Sequence, residues 1–270
     1  MRFKLKNSLL VVFFLFIFLS LIIFWPIFLG KVNLNGNLLV SFYRLYGENL
    51  PYKPTGWDQL RIYFPFYKVT LEQLKNFNIP FWNIYAFSGH SHLADFQSAV
   101  FYPLNIFGFF LSQIEFWHLL RITPTILASF FTFLFLRNLK LSKLASLFGA
   151  LAFGFSPFII TWGEEVVMSP HSIVWLPLIL FSIDRYLARG NNKFLALISL
   201  SLAASFFGGY IQTTIYLFIF VFSYLVFRLF EKRLILSKQS LGIISAFIFG
   251  ILISAVQLLP SVERYFNSLL

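Results

Sequence analysis

The groups able to do chemistry in this chain gather between Gly56 and Asn105, in the run GWDQLRIYFPFYKVTLEQLKNFNIPFWNIYAFSGHSHLADFQSAVFYPLN. Two carboxylates lead. Asp58 heads an amphipathic pattern just after Gly56 and Trp57. A carboxylate there can cap the first helical turn through backbone donors, or act as a general base toward a hydroxyl acceptor if its pKa is tuned; both readings are open. Asp95 lies between apolar flanks in Leu93-Ala94-Asp95-Phe96-Gln97, where an acid is costly unless paired or functional. His90 and His92 are two apart beside Gly89 and Ser91. With Asp95 they could supply three metal ligands, but they read equally as hydrogen-bonding loop residues. No metal ligand is assigned, and the cofactor question stays open, a divalent metal being disfavoured.

Further along, Trp162-Gly163-Glu164-Glu165 and His171 fall on a second loop expected to face the same side. Two adjacent acids are commonly just solvated; a ligand role is the alternative. Arg121 sits a turn or two inside a long apolar segment. A guanidinium there needs a partner or a cavity. A phosphate at the membrane surface suits its fork geometry, as would snorkelling or an ion pair with Asp95, Glu164 or Glu165. Gln212 and Gln257 lie near segment ends, placed either to bond sugar hydroxyls or to tie helices together.

The elements that must position these groups are membrane helices. Hydrophobic residues make up 59% of the sequence and charged residues 11%, with a mean hydropathy of +0.78, far from the soluble norm of about 25% charged. Cysteine is absent, which excludes thiolate nucleophiles and zinc–thiolate sites. The net charge of +11 is not a nucleic-acid signal, because its residues sort by membrane side. Arg2, Lys4 and Lys6 precede an apolar run too long for a signal peptide and lacking a small-residue cleavage site, so it reads as an uncleaved first span.

Apolar periodicity predicts spans near 8–29, 116–136, 144–161, 173–188, 194–209, 211–230 and 240–259, with a long loop over 30–115. Arg137, Lys140 and Lys143, then Arg185, Arg189 and Lys193, then Arg228, Lys232, Arg233 and Lys238 fall in alternate turns, while the turns at 162–172 and 208–210 hold no Lys or Arg. The positive-inside rule then places the N terminus in the cytoplasm and the long loop outside. Most acids, Glu48, Asp58, Glu72, Asp95, Glu115 and Glu263 among them, fall on the outer side; Asp184 and Glu231 fall inside. Pro124, Pro157 and Pro177 lie within spans and predict kinks. No repeat or linker divides the chain, so it reads as one membrane domain over 1–270.

Within the loop, Leu60, Tyr63, Phe64, Tyr67, Leu71 and Leu74 form a helical stripe. Pro65 fits a helix first turn, so two short helices should meet near Phe64, lying at the interface with their apolar face toward lipid or the bundle. Ala99 to Leu111 is apolar but too short to span, and should dip into the membrane or lie on it.

The run Trp57-Asp58-Gln59 through Tyr63-Phe64-Pro65, then Pro80-Phe81-Trp82-Asn83-Ile84-Tyr85, Gly89, Leu93-Ala94-Asp95 and Phe101-Tyr102-Pro103-Leu104-Asn105, resembles the first outer loop of the YfhO-like bacterial membrane proteins, a family placed with the GT-C glycosyltransferases. Phe155-Ser156-Pro157, Trp175-Leu176-Pro177-Leu178, Gly209-Tyr210-Ile211-Gln212 and Ala255-Val256-Gln257-Leu258-Leu259-Pro260 agree with it. The resemblance implies an all-α, multi-spanning bundle of GT-C type whose long outer loop carries interface helices. It implies a bacterial plasma-membrane enzyme that moves sugar from a polyprenyl-phosphate donor to a cell-envelope glycan, polymer or lipid. The acid early in the loop, Asp58, matches the family's base or acceptor-orienting group, with Asp95 second. Arg61, Trp82, Asn83, His90, His92, Gln97, Arg121, Glu164, Glu165, His171, Gln212 and Gln257 are the substrate-contact candidates, although Glu164 and Glu165 match no family motif. Members of the family are usually longer, so the chain corresponds to their N-terminal portion. The competing classes are a lipid or glycan transporter or flippase, which needs polar groups through the bundle's depth, and a noncatalytic envelope-assembly subunit.

Overall fold

A computed structural model describes residues 2–41, 56–86 and 88–267. Glu48, counted above with the outer acids, lies outside them. Among the described residues, the strands are one two-residue pair and the rest is helices and connecting turns. Its elements are α1 (Arg2–Ile23), α2 (Phe64–Lys75), β1 (Trp82–Asn83), β2 (His90–Ser91), α3 (Gln113–Asn138), α4 (Lys143–Gly154), α5 (Gly163–Glu165), α6 (Met168–Ile173), α7 (Leu176–Arg189), α8 (Lys193–Phe207), α9 (Ile211–Glu231) and α10 (Lys238–Asn267).

Among the described residues, four helical stretches are long and apolar enough to cross a membrane: Gln113–Asn138, Lys143–Glu165, Ile211–Glu231 and Lys238–Asn267. The predicted spans at 173–188 and 194–209 coincide with α7 and α8, which have only 14 and 15 residues. At 1.5 Å per residue that is roughly 21–23 Å, short of a ~30 Å hydrocarbon core. The first helix ends at Ile23, before the predicted 29, and a short 3-10 turn follows over Trp25–Leu29, closed by Gly30 with φ 73°.

Local sequence explains the starts and breaks. Ser112 and Glu115 close a capping box on α3, Glu115 Oε2 accepting from the Ser112 N–H at 2.8 Å and Ser112 Oγ from the Glu115 N–H at 3.3 Å. Pro124 lies inside α3, and Pro157 stands where α4 gives way to a π-helical turn over Phe158–Trp162. Pro177 instead occupies the first turn of α7, where its missing N–H has no acceptor to lose. The expected kink there is a helix start.

Packing divides the bundle. Ile179, Ile183, Ile198, Leu202, Leu217, Val221 and Ile243 form a core shared by α7, α8, α9 and α10. Tyr63, Tyr67, Tyr102, Phe116, Trp117, Met168 and Phe207 form another, joining the loop to α3, α6 and α8. The stripe of the amphipathic helix therefore packs on the protein, with Tyr63, Tyr67 and Leu71 buried. It begins as a π-helical turn over Gln59–Tyr63 that runs straight into α2. The apolar piece after Ala99 folds as a 3-10 helix over Pro103–Phe109; Ala99, Val100 and Tyr102 are buried, Ile106, Phe107 and Phe110 exposed.

The two ends of the bundle differ. The C-terminal ends of α3, α7 and α9 meet around Asp184, which accepts from Arg228 Nε at 2.7 Å, Tyr224 Oη at 3.0 Å and Asn138 Nδ2 at 3.3 Å. Arg228 also pairs with Glu231. The basic turns lie at this end. The opposite end carries the strands, the 56–112 segment and the last turns of α10.

Candidate functional site

The loop chemistry rests on a small hairpin. Trp82 pairs with Ser91 and Asn83 with His90. Asn83 is buried, and its Oδ1 accepts from the Tyr85 N–H at 2.9 Å, an Asx turn that closes β1. Gly89 has φ 104°, and a Cβ there would lie 2.6 Å from Trp82 Nε1. Only glycine lets the indole lie on the backbone, and Trp82 remains 56% exposed above it.

Asp95 follows at the start of a 3-10 turn over Phe96–Ser98. Its Oδ1 accepts from the Gln97 N–H at 3.0 Å. Its Oδ2 meets Arg264 Nη1 at 3.1 Å, and the same Nη1 donates to the Ser91 carbonyl at 3.3 Å. Thus the last turns of α10 lean over the hairpin and the Asp95 turn. Between them opens a groove with two lobes. One, of about 850 Å³, is lined by Asp95, Gln97, Ile211, Arg264, Tyr265 and Phe266 among others. The second, of about 480 Å³, is lined by Trp82, His90, Ser91, Glu263, Arg264 and Asn267 among others. Ala94 and Arg264 belong to both.

Asp58 reaches the same face. It is exposed, its backbone is helical (φ −67°, ψ −25°), and its side chain makes no capping bond. The capping alternative is therefore not realised: a cap residue needs extended backbone to turn its oxygen onto the N–H groups ahead. The turn that Asp58 leads into packs on the Phe96–Ser98 turn. Between them lies the buried Tyr63 hydroxyl, whose pKa is pushed well up, first by burial and then by Asp58, Tyr210 and Asp95. Gly209, φ 89°, lets the 208–210 turn pass beneath, since a Cβ there would sit 2.9 Å from the Phe96 carbonyl. Arg61 holds its guanidinium 5.1 Å from the Trp57 ring centroid.

Several predicted contact residues stand apart from the groove. His92 is fully buried: Thr70 Oγ1 donates to the Ser98 carbonyl at 3.1 Å and meets His92 Nε2 at 2.9 Å, so Nε2 carries the proton. Burial, helped by His90 and opposed by Asp95, pushes its pKa down to about 4. Arg121 spends its donors on protein: Nε on Asn33 Oδ1 at 2.8 Å, Nη2 on the Ile160 carbonyl at 3.3 Å, and Nη1 on the Gly163 carbonyl. It ties α3 to the chain on both sides rather than facing an open phosphate site. His171 is fully buried between Tyr102 Oη at 3.0 Å and the Leu120 carbonyl at 2.9 Å. Glu164 and Glu165 are half-buried on α5; the Glu164 carbonyl accepts from Gln59 Nε2, and Glu165 edges a separate hollow with Pro157 and Trp162. Gln212 donates to Tyr216 Oη at 2.7 Å on the exposed side of α9, and the buried Gln257 lies 3.5 Å from the Asp95 carbonyl. The structure thus brings Asp95, Gln97, Trp82 and His90 to the groove, with Asp58 just before the turn that packs on the Phe96–Ser98 turn. Among the described residues, no three His, Asp or Glu side chains gather as a metal shell.

Sequence reasoning missed the α10 contribution: Glu263, Arg264, Tyr265 and Asn267. A signal existed. Arg264 is a basic residue at the end of the bundle where the short turns have none.

The family model described as "Bacterial membrane protein YfhO" matches residues 58–269, more than half of the chain. No curated protein and no solved structure matches it significantly. The chain belongs to the YfhO family of bacterial membrane proteins.

Proposed function

From that membership we propose that the protein is a glycosyltransferase of GT-C type, carrying sugar from a polyprenyl-phosphate donor to a cell-envelope acceptor. In this reading the chain crosses the membrane seven times from a cytoplasmic N terminus, and the groove opens on the extracytoplasmic face. The observation that carries it is the Asp95–Arg264 pair in an amphiphilic groove, with Asp58 beside it and acting with Asp95 on the buried Tyr63 hydroxyl. Arg264 uses Nη1 on Asp95 and Ser91, which leaves Nε and Nη2 for the oxygens of a phosphate. Ile211, Tyr265 and Phe266 line the same lobe and suit the first prenyl units. Asp58, exposed and uncapped, accepts the proton of the acceptor hydroxyl as that oxygen bonds to the anomeric carbon. The bond from that carbon to the phosphate oxygen breaks, and polyprenyl phosphate leaves.

Passage of a polar cargo is less well supported. Thr123, Ser182 and Ser254 donate their hydroxyls to carbonyls one turn back in their own helices, which satisfies them without a polar path. The test is incubation of the purified protein in nanodiscs with radiolabelled polyprenyl-phosphate sugars and crude envelope acceptors. Label should move to acceptor, and Asp58→Asn should cut the rate by roughly 10²–10⁴-fold, the usual contribution of an acid–base group. Transfer undiminished in Asp58→Asn would remove Asp58 from the mechanism.

A further inference from the structure

The two lobes of the groove share Ala94 and Arg264 but differ in what they offer a ligand. The larger presents Ile211, Val262 and Phe266 around the ion pair. The smaller presents an indole, three exposed polar side chains of α10 and a histidine, with no aliphatic side chain larger than Ala94 other than the ring of Pro260. The indole is fixed in place. Gly89 has no Cβ to lift it, and the Trp82–Ser91 pairing holds its backbone. The ring lies against Gly89 through its Nε1, Cε2 and Cζ2 atoms, and more than half of the residue stays exposed.

We infer that the smaller lobe is a carbohydrate subsite, in which the apolar face of a neutral pyranose stacks on Trp82 while Glu263, Arg264 and Asn267 bond its hydroxyls. The chemistry selects for that class. Asp95 neutralises Arg264 at 3.1 Å, and Glu263 adds a further acid. Glu263 lines this lobe alone, so on this side carboxylates outnumber the guanidinium and disfavour an anion, whereas the larger lobe has no acid beyond Asp95 and keeps the Nε and Nη2 donors of Arg264. Carboxylate, guanidinium and amide groups beside a flat π-face instead suit vicinal hydroxyls on one side of a sugar and axial C–H bonds on the other. In the proposed reaction this is where the acceptor glycan docks, and that clause rests on the transferase reading. Arg264 then stands between the two substrates, bonding the donor in one lobe and the acceptor in the other.

The test is titration of the full-length protein in nanodiscs with cellotriose, maltotriose and chitotriose, followed by saturation-transfer NMR. At least one trisaccharide should bind with its ring protons saturated. Trp82→Ala should weaken it about tenfold, the scale of one aromatic contact. Trp82→Phe should keep most of the affinity, and Asn267→Ala should weaken binding severalfold. Trp82 and Asn267 are both exposed, so neither change threatens the fold. Binding of none of the three sugars, or equal binding by wild type and Trp82→Ala, overturns the subsite. Asp58→Asn separates the two claims. Asp58→Asn should still bind trisaccharide while losing transfer, whereas trisaccharide binding by a wild-type protein that transfers no label keeps the subsite and sinks the transferase reading. Transfer with an unchanged acceptor KM in Trp82→Ala does the reverse.

Discussion

Two ion pairs, one at each end of the bundle, put the same chemistry to opposite uses. Asp184 and Arg228 have side chains 3% and 18% exposed, and Asp184 takes three donors from two neighbouring helices, α3 and α9. Asp95 and Arg264 have side chains 22% and 42% exposed, and their guanidinium keeps donors in hand. A buried pair whose carboxylate is already held by three donors clamps, and losing one partner strands the other. An exposed pair with spare valence contributes little to stability but can receive a ligand. The lesson is that charge location identifies neither role; what separates them is how many of the donors and acceptors the protein has already used.

The largest effect that would break this contrast is on stability. Asp184→Ala should destabilise the protein by about 3–5 kcal/mol, the cost of leaving a buried partner uncompensated, whereas Asp95→Ala should cost no more than ~1 kcal/mol. Unfolding in mixed micelles measures both, and equal losses would erase the distinction. Next, Arg264→Gln should weaken binding of a short-chain polyprenyl phosphate by roughly 10–100-fold, one charge-assisted hydrogen-bonding group, and leave binding of the unphosphorylated polyprenol unaffected. Equal loss for both lipids would mean that Arg264 does not meet the phosphate. Gly209→Ala should cost about 1–3 kcal/mol, because φ 89° and the nearby Phe96 carbonyl both oppose a side chain; it perturbs the groove end alone.

The smallest effect near neutral pH is on His92. Its pKa is pushed down to about 4 in the folded protein, against an ordinary value near 6.5, so folding favours the neutral ring. The contribution is full above about pH 6.5 and is lost as the pH falls from there toward 4, where the unfolded chain binds the proton first. Thermal unfolding followed over that range should steepen in wild type and be less steep in His92→Gln, the buried His171 ring, also pushed down by burial, keeping the remainder. All four histidines, His90, His92, His118 and His171, belong to the groove end. The Asp184 end should therefore show no such dependence, which hydrogen exchange at α7 and α9 would check.

Much of this architecture could be read in advance because its cause is local. Apolar runs and basic turns marked the helices, and the stripe through Tyr63, Tyr67 and Leu71 marked the loop helix and its buried face. The breaks were harder. Pro177 could equally kink a span or start one, and only the shortness of α7 separates these cases. The site was half legible. Asp58, Asp95 and Trp82 announce themselves as polar or aromatic groups in an apolar chain. Arg121, His92 and His171 gave the same signal and are held by internal bonds, which depend on Asn33, Thr70, Tyr102 and backbone carbonyls brought from elsewhere. Arg264 lies 169 positions from Asp95, and no spacing rule reaches across that separation. Its role arises only because α10 leans over the hairpin.

The most direct test compares three variants in one assay. Asp58→Asn, Asp95→Asn and Asp184→Asn, each in nanodiscs and normalised to folded protein, are assayed for transfer of label from a polyprenyl-phosphate sugar to envelope acceptor. Loss of transfer in the first two, with Asp184→Asn near wild type per folded molecule, is the predicted result. Transfer that survives in Asp58→Asn and Asp95→Asn but fails in Asp184→Asn would place the chemistry at the other end of the bundle and contradict the account.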